Sequence, residues 1–573
     1  MDSARSTSAP DLLLLHAPSV YDFRERAILY GPVSDMVPSS TVFEMYPLGF
    51  LTIASYLHAQ GMSVRIVNLA LRMMNDRHFD VPAFIARQRP RAVGIDLHWL
   101  PHAHGALEIA RIVKEIHPGV PVIFGGLSSS YFHEELLGYP QVDFVLRGDS
   151  TEPPLHQLLV ALRDGTPVDQ IPNLSWKDAQ GVHVNPHAFL PATLDYVDIR
   201  PDLVIEMMAR YRDFEGPLPF RGWWRSPIAA VFTVKGCAYE CVTCGSSHTT
   251  CTHLTKRQRP VFRGPASLVA NVEAFARLTK GPIALIGDLR MAGDAHASEV
   301  LERLRRSGVQ NEIIIELFGV PPLEFLREID RCLPHWSIEF SPESHDQAVR
   351  NAQEGEAEYT TAEMEQMLRE ALQLRCARLD VFFMIGLPGQ TLASVHGTVD
   401  YCERLFELGD RRLSCYISPM GPFIDPGSRG FEEPERFGYR LFARTLEEHR
   451  QLLVQPTWEH ILNYETKWMT RRELVDATYD AAERLNELKI RYGRISTRRG
   501  RKVAANIAAA RALRARLEAT LTSGGDPDAD PALRGEISEF SMSTVCDKRE
   551  LFWRRGWSQF RLLEVARILG RAL

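Results

Sequence analysis

Short apolar runs alternate with amphipathic stretches twice along this chain. In the first 160 residues the runs are DLLLLHAP, MSVRIVN, RAVGIDLHW, VPVIFGG and VDFVLRG, separated by helical patterns such as PLGFLTIASYLHAQG, HGALEIARIVKEIHPG and SYFHEELLGY. Short, strongly apolar strands between amphipathic helices predict a doubly wound, Rossmann-like parallel sheet. From Ile228 to Ser428 the alternation restarts with IAAVFTVKG, GPIALIGD, EIIIELF, WSIEFSPES, LDVFFMIGLPG and RLSCYISP. Six such strands with helical connections suit a partial (β/α)6 barrel that presents its chemistry at the carboxyl ends of the strands. Beyond it, FARTLEEHRQLL, RRELVDATYDAAERLNELKIRYG and RKVAANIAAARALRARLEATL predict a mostly helical end. The expected α/β organisation is a doubly wound domain over 1–160, a connector over 161–228, a barrel over 229–430 and a helical domain over 431–573. SGGDPDADPALRG at 523–535 reads as a linker by composition, and the amphipathic tail FSMSTVCDKRELFWRRGWSQFRLLEVARILG is expected to dock back on the core. Trp223 and Trp224 either cover a cofactor or pack a domain junction. Tyr464 and Trp468 are candidates to face a substrate.

Composition narrows the classes. A chain of 573 residues with 45% hydrophobic and 24% charged content is a soluble protein of several domains. A net charge of −6 offers no general attraction to nucleic acid or anionic membrane, and no apolar run reaches the ~18 residues of a membrane span. The basic run STRRGRKV reads as an exposed helix face. Nine cysteines, an odd number, fit a reducing cytoplasm better than a disulfide framework.

Three of those cysteines carry the sharpest signal. Cys237, Cys241 and Cys244, in KGCAYECVTC, follow the first strand of the second series and place three thiolates on one loop. A zinc knuckle needs a fourth ligand, for which His248, Cys251 and His253 are near enough in sequence. A four-iron cluster that only transfers electrons takes four thiolates, so three leave one iron open. In the first domain, ligands of a doubly wound sheet sit beyond the carboxyl ends of its strands. There the chain carries Asp96 and His98, Gly125, Gly126 and Ser128, and Gly148, Asp149 and Glu152. The glycine pair lets backbone approach a bulky ligand.

The CxxxCxxC loop, SPES at 341–344, GLPGQT at 386–391 and IDPGS at 424–428 occur in order, each after the appropriate strand. This set resembles the radical S-adenosylmethionine (SAM) superfamily. With the front domain it resembles the cobalamin-dependent radical SAM methyltransferases, including those that methylate C2 of L-tryptophan in thiopeptide antibiotic biosynthesis. The resemblance implies a 4Fe-4S cluster on Cys237, Cys241 and Cys244, with SAM chelating the open iron. It implies a SAM site along Asp288, Ser341, Glu343, Gly386 and Pro388, and cobalamin (as methylcobalamin) against Gly125 and Gly126. Leu69 and Arg72 would lie under the corrin's lower face. No histidine is expected on cobalt, because DLHWLP has Pro101 where the DxHxxG motif has glycine and follows the third strand rather than the first. Two departures are Thr243, where the superfamily has an aromatic residue, and Ile286-Gly287-Asp288 in place of Gly-Gly-Glu.

The implied activity is C-methylation of a small substrate by way of methylcobalamin, supported by an external reductant, without nucleic acid or membrane partners. The alternative is 5′-deoxyadenosyl-radical chemistry on an sp3 carbon or a rearrangement. Residues 245–272 contain no Asp or Glu while carrying Lys256, Arg257, Arg259 and Arg263. The first carboxylate after them, Glu273, borders the apolar stripe of Leu268, Val272, Phe275 and Leu278. It is either a solvated glutamate or a ligand on the open iron, which would favour non-radical transfer.

Overall fold

Strands Leu12–His16, Val64–Asn68 and Ala92–Asp96 are buried at every residue, as strands covered on both faces must be. In the computed structural model, which describes residues 9–32, 40, 42–355, 359–540, 546–553 and 559–572, they run parallel with Val122–Gly125 and Phe144–Leu146. Leu12–His16 lies between Val64–Asn68 and Ala92–Asp96. The chain therefore departs in opposite directions from the first and third strands and opens a crevice at their carboxyl ends. The sheet does not stop at residue 160. Leu174–Asp178 pairs antiparallel with Phe144–Leu146, and Gly181–Val184 pairs with it in turn. An edge strand has open backbone donors and acceptors, and part of the expected connector satisfies them.

An ion pair forms the floor of that crevice. His16 Nδ1 lies 3.0 Å from Asp96 Oδ1, and His16 Nε2 lies 2.9 Å from the carbonyl oxygen of Phe43. Both partners are acceptors, so the ring carries two protons. Burial by itself would depress the histidine, but the charge and hydrogen bond of Asp96 outweigh it and hold its pKa above the ordinary 6.5.

The second sheet is six parallel strands in the order Ala229–Phe232, Ile283–Ile286, Ile313–Leu317, Trp336–Glu343, Leu379–Ile385 and Leu413–Pro419. It stays open between its first and last strands. Helix Arg471–Arg491, started by a capping box of Thr470 and Glu473, covers the last strands. The tail docks as expected: Arg378 Nη2 donates to the Glu550 carbonyl at 2.7 Å, and Lys489 Nζ meets the Glu550 carboxylate at 2.7 Å. Phe560 sits 5.1 Å and 5.0 Å from the ring centres of Trp223 and Trp224. The tryptophans thus pack a junction. Residues 523–535 are not a plain linker. Asp530 accepts from the Ala532 amide at 2.9 Å, and helix Pro531–Phe540 buries Leu533 and Ile537. Proline inside the start and aspartate before it are helix-start signals that composition concealed.

A raised His16 stabilises the fold below 6.5 and loses that contribution as pH climbs through its folded value. Asp96, held below its ordinary 3.8 against burial by the charge of His16, contributes above that value. Asp96→Asn is expected to cost about 3 kcal/mol of unfolding free energy near pH 6 and markedly less near pH 9, read by denaturant titration. Equal losses at both would show that the pair is not ionised.

Candidate functional site

Strand Val234–Lys235 pairs antiparallel with Val261–Phe262, so residues 236–260 form a loop closed at its base directly above the first barrel strand. The Tyr239 amide lies 3.4 Å from Cys237 Sγ and the Ser246 amide 3.3 Å from Cys244 Sγ. Both amides come from residues two positions further along the same loop. Among the described residues, no three or more His, Cys, Asp or Glu side chains stand gathered tightly enough to hold a metal ion. Cys251 is spent elsewhere: buried, it donates to the Ser246 carbonyl at 3.3 Å, and burial pushes its thiol up to about 12. The zinc alternative thereby loses its fourth thiol.

Two carboxylates face this loop. Asp425 Oδ2 accepts from the Gly245 amide at 2.9 Å, and a side chain at 245 would meet Asp425 Cβ at 2.7 Å, so the position after Cys244 requires glycine. Cys244 and Asp425 are open to solvent, yet protein surrounds them closely enough that desolvation raises both. Glu343 ends the fourth barrel strand with a φ of 63°. Desolvation pushes its carboxyl up to about 7, with Gln353 pulling the other way. Gln353 in turn accepts from the Val242 amide at 2.9 Å and donates to Thr243 Oγ1 at 3.2 Å, holding the cysteine loop.

The first domain meets the same loop. Gly126 has φ +117°, and a side chain there would strike the His98 backbone at 2.5 Å, whereas one at Gly125 would enter open space. Helix Leu127–Tyr131 contacts helix His248–Leu254 of the cysteine loop, and Tyr131 donates to Glu432 at 2.7 Å. His98 is partly open and pushed down to about 4 by desolvation, so it is neutral.

Other candidates are occupied by protein. Ser128 Oγ donates to the His98 carbonyl at 3.2 Å. Asp149 takes the Arg257 guanidinium, with Nη2 to Oδ1 at 2.8 Å. Glu152 accepts from Thr52 and from Tyr196, both at 2.8 Å. Asp149 therefore ties the first domain to the cysteine loop, and Glu152 is held within the first domain and the segment that follows it. Arg72 is drawn away to Asp213 at 2.9 Å and stacks on Phe79, and Leu69 is fully buried in the core. Asp288 is committed to Arg290 and to the amides of Arg290 and Phe318, so Glu316, which accepts from the Gly287 amide at 2.6 Å, is the carboxylate at that strand end. Ser341 is exposed, while Gly386 and Pro388 are buried, Gly386 beneath Tyr464 and Tyr439. Tyr464 is core, not substrate-facing. Glu273 stands in the third turn of helix Pro265–Leu278, roughly 12 Å below the helix start. Its side chain makes no hydrogen bond or ion pair among the described residues. Lys235, Gln353 and Asp425 were missed as site residues.

The donor set fits an iron–sulfur cluster: three thiols share one loop, and two of them receive amide hydrogens. The opening above Gly125 at a sheet's carboxyl edge fits one rim of a large flat ligand.

The fold and the site together define a protein in which a doubly wound domain meets a six-stranded partial barrel at a three-cysteine loop. Residues 36–156 match the B12 binding domain family. The chain has the fold of the cobalamin-dependent radical SAM enzymes. It is similar to the radical SAM methyltransferase TsrM from Kitasatospora setae, solved with tryptophan and a SAM analogue (TM-score 0.55, 17% identity, 76% of this chain and 79% of that one). It is similar also to the cobalamin-dependent SAM radical enzyme OxsB (TM-score 0.53, 14% identity, 99% and 79%). In sequence it is 29% identical over 203 residues to an uncharacterised methyltransferase of Pyrococcus horikoshii, a match spanning 35% of this chain and 40% of that protein. No helix among the described residues is long and apolar enough to cross a membrane.

Anaerobic reconstitution with iron and sulfide separates the ligands from their neighbours. Cys244→Ala is expected to lose most bound iron, whereas Cys251→Ala and Glu273→Gln retain the wild-type content. Loss of iron in Glu273→Gln would restore that residue as a ligand.

Proposed function

We propose that the chain is a cobalamin- and SAM-dependent C-methyltransferase acting on a small molecule, with C2 of L-tryptophan in antibiotic biosynthesis as the preferred acceptor. The observation that carries this reading is the meeting of two carboxyl edges. The Gly125–Ser128 edge of the first sheet stands against the cysteine loop on the first strand of the second. Bound at that junction, cobalamin would supply a nucleophile that takes the methyl group of SAM and delivers it to carbon. The chain's own part is placement. The cysteine loop holds the cluster, Ser341 and Glu343 line the SAM side, and the open edge at Gly125 admits the corrin. The docked tail closes the barrel against water.

The tryptophan assignment is supported by the likeness to TsrM, whose structure holds that substrate. An indole C2 is electron-rich, so it accepts a methyl group without hydrogen abstraction, which is the reason to prefer non-radical transfer.

The test is an anaerobic reaction of reconstituted protein with methylcobalamin, SAM, tryptophan and a reductant, followed by mass spectrometry. Methyltryptophan without 5′-deoxyadenosine is the expected result. Deoxyadenosine without methyltryptophan would replace this reading with radical chemistry on another substrate. Absence of both, from protein with full iron and cobalamin content, would remove the tryptophan assignment.

A further inference from the structure

The ion pairs between the two domains grip the cysteine loop on both flanks. Arg257 follows the loop's helix, and its guanidinium lies against Asp149, with Nη2 also donating to Ser150 Oγ at 3.1 Å. Its side chain is 4% exposed and that of Asp149 is 15% exposed. Lys235 precedes Cys237 by two residues, and its Nζ donates to the Asp149 carbonyl and lies 3.9 Å from Glu152 Oε1. One short segment of the first domain, 149–152, therefore holds the residues on either side of the three cysteines.

That segment is connected to the glycine edge. The Gly148 amide donates to Ser130 Oγ at 2.8 Å, and Ser130 Oγ is 2.8 Å from the Gly126 carbonyl. A ligand pressing on Gly125 and Gly126 acts on the first turn of a helix whose Ser130 positions Gly148, and Asp149 follows directly. The three cysteines lie between Lys235 and Arg257, so both anchors bound the loop on which a cluster would be held.

We propose that Asp149 and Arg257, with Lys235, are positioning residues that couple cobalamin binding in the first domain to cluster assembly on the cysteine loop. Either event stiffens the shared segment and makes the other more favourable, and the effect is reciprocal. This rests on the cofactor reading above. Neither residue touches the reacting atoms.

The experiment uses the full chain with hydroxocobalamin as the probe. Bound fraction is measured by ultrafiltration and absorbance, once on cluster-free protein and once after anaerobic loading with iron and sulfide. Cluster loading is expected to tighten cobalamin about tenfold in the wild type. Asp149→Asn is expected to reduce that ratio to near one while its cluster-free affinity stays close to wild type. Arg257→Lys, which keeps the charge but loses the two-pronged contact, is expected to give an intermediate ratio. It also serves if far-ultraviolet circular dichroism shows Asp149→Asn to be unfolded. A wild-type ratio near one, or an undiminished ratio in both folded variants, overturns the coupling. Failure of the wild type to bind hydroxocobalamin in either state overturns the cofactor reading, and the coupling falls with it.

Discussion

The contact between Asp149 and Arg257 joins the end of a strand in one sheet to the segment that leaves the cysteine loop of the other. Both groups are largely withdrawn from water, so each depends on the other: removing one partner of such a pair leaves a buried charge and typically costs about 3–5 kcal/mol. The guanidinium presents two parallel donors to one carboxylate, which fixes orientation as well as distance. Lys235 repeats the grip on the other flank. The relation between the glycine edge and the three cysteines follows from these contacts.

Parallel sheets concentrate chemistry at one end, because strands buried on both faces leave only their carboxyl-end loops for ligands. Here two such ends meet, where helix Leu127–Tyr131 contacts helix His248–Leu254 of the cysteine loop. Cys244 and Asp425 are reached by solvent yet desolvated by the surrounding protein. The tail packs residues 546–553 against the last strands and Phe560 against the paired tryptophans.

Several candidate residues proved to have ordinary partners. Arg72, Asp149, Glu152 and Asp288 all have the polar character a cofactor would want, and all are satisfied by protein groups. For Asp149 the signal was present from the other side: a stretch of 28 residues, 245–272, carries four cations and no carboxylate, so at least one buried cation had to find its partner elsewhere. The chain contains 72 acidic residues, and nothing local says which will arrive.

The strands of both sheets, the capped helix at Thr470 and the three-cysteine loop were legible along the chain. They depend on burial periodicity, backbone sterics and ligand spacing, which act over a few residues. The two added strands at 174–184, the approach of Asp425 to Gly245 and the pairing of Asp149 with Arg257 were not. Each depends on which groups meet across tens to hundreds of residues, and that is set by how packed layers bring loop ends together. Composition records that a charge exists; only the packed fold selects its partner.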